Sequence, residues 1–196
     1  MGALSTKDKI LTVSKSHFAQ NGYEATTMAM IAEAVGIRKP SLYSHYSSKA
    51  DIFKDVLALE FEMYLLFCKE ILSNKNQSAV EKLSTLFISH LPGDEKMEMD
   101  NEFYYRFIKY PPMEIENYTL NHYRDMDEKL FEMFDAVVKE GKEEGAIDGS
   151  LSSRQIYDVY FIMIDGIDTM KGLYSFEAAK KSSENVWQVF YRGIKS

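Results

Sequence analysis

The 196 residues hold only one cysteine, four prolines and four histidines. A lone Cys68 excludes an intrachain disulfide and fits a reducing compartment, where it is expected to be an inert helix residue. His17, His45, His90 and His122 fall in neither HxxxH nor HExxH spacing, and no pair of Glu-x-x-His motifs is present. GxGxxG, a P-loop and a nucleophile elbow are also missing. The expectation is therefore no enzyme, no cofactor and no metal site. No apolar run approaches the ~20 residues that span a bilayer; the longest, at 159–164, is far shorter. MGALSTKDKI has no signal-peptide apolar region, so a cytoplasmic protein without a membrane partner is expected. Strand signals are almost absent as well: no alternating run is bounded by turn residues.

What is present is helical period. With 45% hydrophobic and 27% charged residues the composition is that of an ordinary globular chain. Helices are expected at 5–20, 28–35, 40–46, 49–72, 79–90, 101–110, 113–144, 152–174 and 176–193, nine in all. Asn21-Gly22 ends the first, and Pro111-Pro112 stops the sixth. The 49–72 segment is apolar on more than one face (Ile52, Phe53, Val56, Leu57, Leu59, Phe61, Met63, Leu66), which predicts a helix lying between two packed layers.

The net charge of −7 argues at first against nucleic acid, but its distribution does not. Residues 1–55 hold seven Lys/Arg and five Asp/Glu, a net +2; the other 141 hold 16 and 25, a net −9. A mildly basic head on an acidic body is compatible with DNA binding through the head alone, with few phosphate contacts per subunit.

That head contains the most informative stretch, MAMIAEAVGIRKPSLYSHYSSK at 28–49. Thr27 is a good N-cap, and Met28, Ile31, Ala32 and Val35 recur at helical spacing. Gly36 stands where a left-handed residue closes the helix. Pro40 suits the first turn of a second helix, whose inner face is Leu42 and Tyr46 and whose outer face is rich in donors. This is the pattern of a helix-turn-helix DNA reader.

The surrounding residues sharpen the pattern. Phe18 closing the first helix, the Asn21-Gly22-Tyr23 corner, Thr26-Thr27, Ile31-Ala32, Gly36, Leu42-Tyr43-x-His45-Tyr46, and Lys49 followed by Phe53 together resemble the DNA-binding head of the TetR family of bacterial transcription regulators. Met28 and Met30 depart from it, standing where such heads usually carry polar residues. The resemblance covers about the first quarter of the chain. It implies an all-α fold: a three-helix head at 1–50, joined by the fourth helix to a ligand-binding and dimerisation body at 51–196. It further implies a homodimeric repressor with its third helix in the major groove of an operator half-site and its last two helices in a four-helix bundle with the partner. A small molecule entering the body would then shift the fourth helix and move the heads apart. A helical ligand-binding or scaffold protein without DNA activity is the alternative.

Reading bases takes short polar side chains on the recognition helix, and gripping phosphates takes basic and aromatic groups at its rim. Lys39, Ser41 and Ser44 are candidates for base edges. Tyr43, His45 and Lys49 are candidates for phosphates, with Thr26 and Thr27 adding donors at a helix N-terminus, and the flanking Arg38 is a further DNA-binding candidate. In the body, Phe103, Phe107, Tyr110, Tyr118, Tyr123, Phe134, Tyr160 and Met163 are candidates to line an apolar cavity, with Asp165 as a carboxylate anchor for a small lipophilic effector. Each of these aromatics is also a candidate for ordinary core. Val186, Trp187, Val189, Phe190 and Ile194, with Gly166 and Gly172 on the preceding helix, are the expected dimer seam; Trp187 has intrachain core as its alternative.

Overall fold

The computed structural model describes residues 5–90, 106–108, 110–171 and 173–196. These carry eight α-helices, a short 3-10 helix and no strand, so the fold is all-α. The helices are α1 (Thr6–Ala25), α2 (Met28–Val35), α3 (Lys39–His45), α4 (Lys49–Leu72), α5 (Ala79–Ser89), α6 (Glu116–Glu143), α7 (Ser153–Lys171) and α8 (Phe176–Ile194). The 3-10 helix is Met113–Ile115, so the long segment expected at 113–144 begins with a tighter turn after Pro112. The helix expected at 101–110 lies mostly outside the described residues, as does Phe103; 106–108 is helical. No described helix is long and apolar enough to cross a membrane.

The chain packs as two compact units, Met1–Tyr64 with Met99–Met126, and Leu65–Glu98 with Asp127–Ser196. This partition does not coincide with a division at 50/51, because the first part of α4 and the 106–126 stretch pack with the head.

In the first unit, Ser5 starts α1 with a capping box: its Oγ accepts from the Asp8 N–H (3.1 Å) and the Asp8 carboxylate accepts from the Ser5 N–H (3.1 Å). Gly22 (φ 81°, ψ 168°) breaks the helix where Asn21-Gly22 predicts its end. The Thr26 hydroxyl bridges the break, within hydrogen-bond reach of the carbonyls of Gly22 (2.7 Å) and His17 (3.1 Å). Gly36 (φ 78°, ψ 30°) closes α2: its N–H donates to Glu33 O and that of Ile37 to Ala32 O, both at 3.0 Å. Pro40 lies in the first turn of α3. The core is aromatic, with ring centroids of Phe18 and Phe53 5.1 Å apart, Tyr23 and Phe53 5.3 Å, and Phe53 and Phe107 4.8 Å. Such edge-to-face pairs each contribute about 0.5–1.5 kcal/mol beyond the area they bury.

On α4, Ile52, Phe53, Val56, Leu57 and Phe61 are buried, but Leu59, Met63 and Leu66 remain exposed. The two-layer expectation thus holds for one side of the helix only, because the i, i+4, i+7 spacing puts those three residues on a separate stripe.

In the second unit, Ser78 and Glu81 form a capping box on α5. Two contacts tie α5 to α6. Buried Lys82 pairs with Glu140 (2.6 Å), and the Glu144 carboxylate accepts from the Ala79 N–H (3.3 Å). The centre is filled by Phe87, Phe134, Tyr160 and Phe190, with the Tyr160 hydroxyl donating to Leu83 O (2.7 Å). Burial keeps that phenol far from ionising, so it is a permanent donor.

Two residues of the expected dimer seam belong to this core instead. Phe190 and Ile194 are buried within the subunit, since they sit on the inner face of α8. Trp187 packs at a tilt against Phe87 (5.3 Å) and Phe190 (5.7 Å), its intrachain alternative. What stays exposed is Val159 and Ile162 of α7 and Val189 of α8. Val159 and Val189 line a shallow, mostly apolar surface between α7 and α8 together with Met163, Val186, Gly193 and the edges of Phe190 and Ile194.

Candidate nucleic-acid interface

The α2–turn–α3 unit divides its side chains by face. Leu42 (0% exposed) and Tyr46 (6%) point inward, and the Tyr46 hydroxyl donates to the Asp55 carboxylate of α4 (2.9 Å). Burial first, and then that carboxylate, raise the Tyr46 pKa, so this tie keeps its proton at any physiological pH. Asp55 also pairs with Lys7 of α1 (3.0 Å), so one carboxylate joins three helices. Because Leu42 and Tyr46 are four apart, fixing them turns the remaining face of α3 outward.

That outer face carries Arg38, Lys39, Ser41, Tyr43, Ser44 and His45, all exposed. The Lys39 ammonium lies 5.9 Å from the Tyr43 ring centroid, and the Ser44 hydroxyl donates to Ser41 O (2.7 Å). Thr27 is exposed at the start of α2, where its hydroxyl accepts from the Met30 N–H (3.2 Å). Capping at this terminus therefore comes from Thr27 despite the two methionines. Met28 is buried (8% exposed) and serves as core, which explains an apolar residue there.

Two candidates stand elsewhere. Thr26 is fully buried with its hydroxyl spent on the α1 corner, so it cannot reach a phosphate. Lys49 is half-buried; its ammonium donates to Tyr23 O and Glu24 O and lies 4.1 Å from the Tyr23 ring centroid. Its place is a brace from α4 to the α1 corner. In both cases the partners are backbone carbonyls at the end of α1, which only the folded corner presents.

The effector candidates fall in both packing units. Phe107 is buried against Phe18 and Phe53 in the first. Tyr118 is half-buried, stacked on His122 (3.8 Å), with its hydroxyl donating to Lys54 O (3.4 Å). Tyr123 meets Phe61 edge-on (6.3 Å). Phe134 and Tyr160 are in contact (5.0 Å) in the core of the second unit, and Met163 lines the α7–α8 groove. Tyr110 and Asp165 stand on the surface, which does not suit the lining or the anchor of an enclosed cavity.

Two residues that sequence reasoning passed over prove to touch the head. Arg106 donates to Ala19 O (2.7 Å) and Glu114 accepts from the Tyr23 hydroxyl (2.9 Å), while on α4 the Lys54 ammonium lies 5.5 Å from the Tyr118 ring centroid. The first two partners are 87 and 91 residues away in sequence, beyond the reach of any local pattern.

A buried aromatic core carrying a Gly-closed helix pair, with a polar and basic row on the second helix, defines a helix-turn-helix head. Residues 10–56 match the family described as bacterial regulatory proteins, tetR family. Over 91 residues the chain is 33% identical to the HTH-type transcriptional repressor KstR2 of Mycolicibacterium smegmatis, covering 46% of this chain and 44% of that protein. Over 57 residues it is 40% identical to the HTH-type transcriptional regulator QacR of Staphylococcus aureus, covering 29% of this chain and 30% of that one. The matches thus span less than half the length of either relative. The fold as a whole is similar to that of the transcriptional regulator FadR from Bacillus subtilis, solved in complex with stearoyl-CoA. That likeness has a TM-score of 0.72 at 19% identity, over 95% of this chain and 98% of the other. Residues 10–56 thus carry the head of the tetR family of bacterial regulatory proteins.

Proposed function

We propose that the chain is a ligand-responsive transcriptional regulator: a homodimeric repressor that leaves its operator when a small lipophilic molecule binds its body. Residues 1–50 serve as the DNA-binding domain and 51–196 as the ligand-binding and dimerisation domain. The observation that carries this reading is the outward row on α3, held in register by buried Leu42 and Tyr46. Lys39, Ser41 and Ser44 meet base edges; Arg38, Tyr43, His45 and Thr27 meet phosphates. Thr26 and Lys49 support the corner behind them. With so few cations in the head, the salt dependence of binding is modest per subunit.

Dimerisation uses the exposed α7–α8 face. Val159, Ile162, Met163 and Gly166 recur at i, i+3, i+4, i+7, and Val189 lies across the groove. A Cβ at Gly166 would meet nothing within 4 Å in the subunit. Glycine costs about 1 kcal/mol in a helix interior, and close approach of a partner helix would give that residue a purpose. The effector class takes its support from FadR, whose solved complex holds an acyl-CoA.

Gel shift on the DNA upstream of the chain's own gene tests the reading. Wild type should bind; Tyr43→Ala should weaken binding on every sequence, and Lys39→Ala and Ser44→Ala should change base preference. Stearoyl-CoA and lipophilic cations, added separately, then report which class releases the DNA. Equal operator affinity for wild type and all three variants would sink the assignment of α3.

A further inference from the structure

The break at Gly22 and the end of α1 gather backbone carbonyls at one corner, where Gly22 O accepts from the Thr26 N–H (3.3 Å), and α1 has no basic residue in its last turn. Three side chains donate to carbonyls of this corner. Thr26 serves His17 O and Gly22 O, Lys49 of α4 serves Tyr23 O and Glu24 O, and Arg106 serves Ala19 O. The Arg106 guanidinium passes over Gly22, where a Cβ would lie 3.8 Å from it, an ordinary contact. Beside it, Phe107 inserts against Phe18 (6.5 Å) and Phe53 (4.8 Å). Beyond Pro111 and Pro112, Glu114 takes the hydroxyl of Tyr23, which is itself buried.

Arg106 and Glu114 therefore hold the end of α1 at Ala19 and Tyr23, while Phe107 packs on Phe18 and Phe53 beside it. That corner leads within four residues of Tyr23 to Thr27, the cap that starts α2, and α2 orients α3 through the Gly36 turn. We infer that Arg106 and Glu114 are positioning residues for operator binding: they clasp the Gly22–Thr27 corner and so set the angle at which α3 is presented. The inference rests on the regulator reading above. It assigns to two residues outside the DNA-binding domain a direct hold on the head, made through α1 rather than through α4.

The test uses full-length protein and two measurements. Hydrogen exchange of the amides at 23–36 reports the corner itself, and fluorescence anisotropy on the footprinted upstream DNA reports its consequence. Arg106→Met removes the donor but keeps much of the stem. It should speed exchange at the corner and weaken operator binding about 3- to 10-fold, the range of one ordinary intramolecular hydrogen bond. Arg106→Lys keeps a donor and should recover most of the affinity, which a merely space-filling role would not require. Tyr23→Phe and Glu114→Ala should each weaken binding, and their combination should be no worse than the stronger single change. If wild type binds DNA and the Arg106→Met and Glu114→Ala proteins match it in both exchange and affinity, the clasp is wrong and the regulator reading survives. The same holds if Arg106→Lys is as impaired as Arg106→Met. If wild type binds no upstream DNA, both fall.

Discussion

Replacing Gly22 with alanine is the perturbation that best separates backbone geometry from packing in the reading head. A Cβ at this position meets only the Arg106 guanidinium, at 3.8 Å, which is ordinary contact, so sterics contribute almost nothing. The backbone decides the cost. With φ 81° and ψ 168°, Gly22 sits in a region that essentially only glycine occupies, and a side chain held there costs about 1–3 kcal/mol. The loss of unfolded-state entropy offsets about 0.4–1 kcal/mol. The net expectation is a destabilisation of about 1–2 kcal/mol, or ~2–8 °C in Tm for a chain of this length. Gly36 is the internal control. Its φ 78° and ψ 30° place it in the left-handed helical region that asparagine visits readily. Gly36→Asn should therefore be nearly neutral, whereas Gly22→Asn should be as damaging as Gly22→Ala. Urea titration measures all three, and anisotropy on operator DNA should show the Gly22 variants weakened beyond what their unfolded fraction explains. Gly22→Ala as stable as wild type, or Gly36→Asn worse than Gly22→Asn, would refute the argument from backbone geometry.

Gly141→Ala should destabilise the second unit by about 1–2 kcal/mol, because helix propensity gives back only part of the overpacking cost. Its Cβ would lie 2.5 Å from Ile147 Cδ1 and 3.0 Å from Ala79 Cβ, both on buried residues; Ile147→Val should relieve part of the loss in a thermal-melt double-mutant cycle. Glu140→Gln should cost more than Lys82→Met, since the first strands an ammonium on a side chain only 6% exposed while the second leaves a carboxylate on one that is 41% exposed. Chemical denaturation of both variants gives the order. The Asp135 carboxyl is held below its usual range, first by the hydrogen bond from Lys139 and then by that from Ser153. A depressed folded pKa adds stability that is present above the ordinary aspartate value and lost as pH falls through the folded one. Asp135→Asn should thus flatten the loss of stability below about pH 4 in an acid titration followed by circular dichroism.

How far each element was legible depends on how local its cause is. The Gly22 break, the Gly36 turn, the Thr27 cap and the inward pair Leu42 and Tyr46 follow from residues within four positions of one another. Their spacing alone announces a helix-turn-helix. Thr26 and Lys49 have the composition of phosphate ligands, and nothing in their neighbourhood warns that a broken helix will claim their donors. The aromatics of the body were harder still. Phe107 and Phe134 look alike in sequence, yet one packs into the core of the first unit and the other into that of the second. Tyr110 has the same helical surroundings and ends on the surface. Helical period gives a face to each residue but not the neighbour that covers it, and for Phe190 and Ile194 that neighbour is the subunit's own core.

The sequence by itself determined an all-α chain with a mildly basic reading head, because helix period, caps and charge act over a few residues. Only the tertiary structure decided which polar groups are spent inside the protein and which remain for DNA. It also decided that Arg106 and Glu114 reach the α1 corner. The first depends on contacts from Thr26 and Lys49 that are 4 to 26 residues apart in sequence, and the second on contacts 87 and 91 residues apart, which no local pattern encodes.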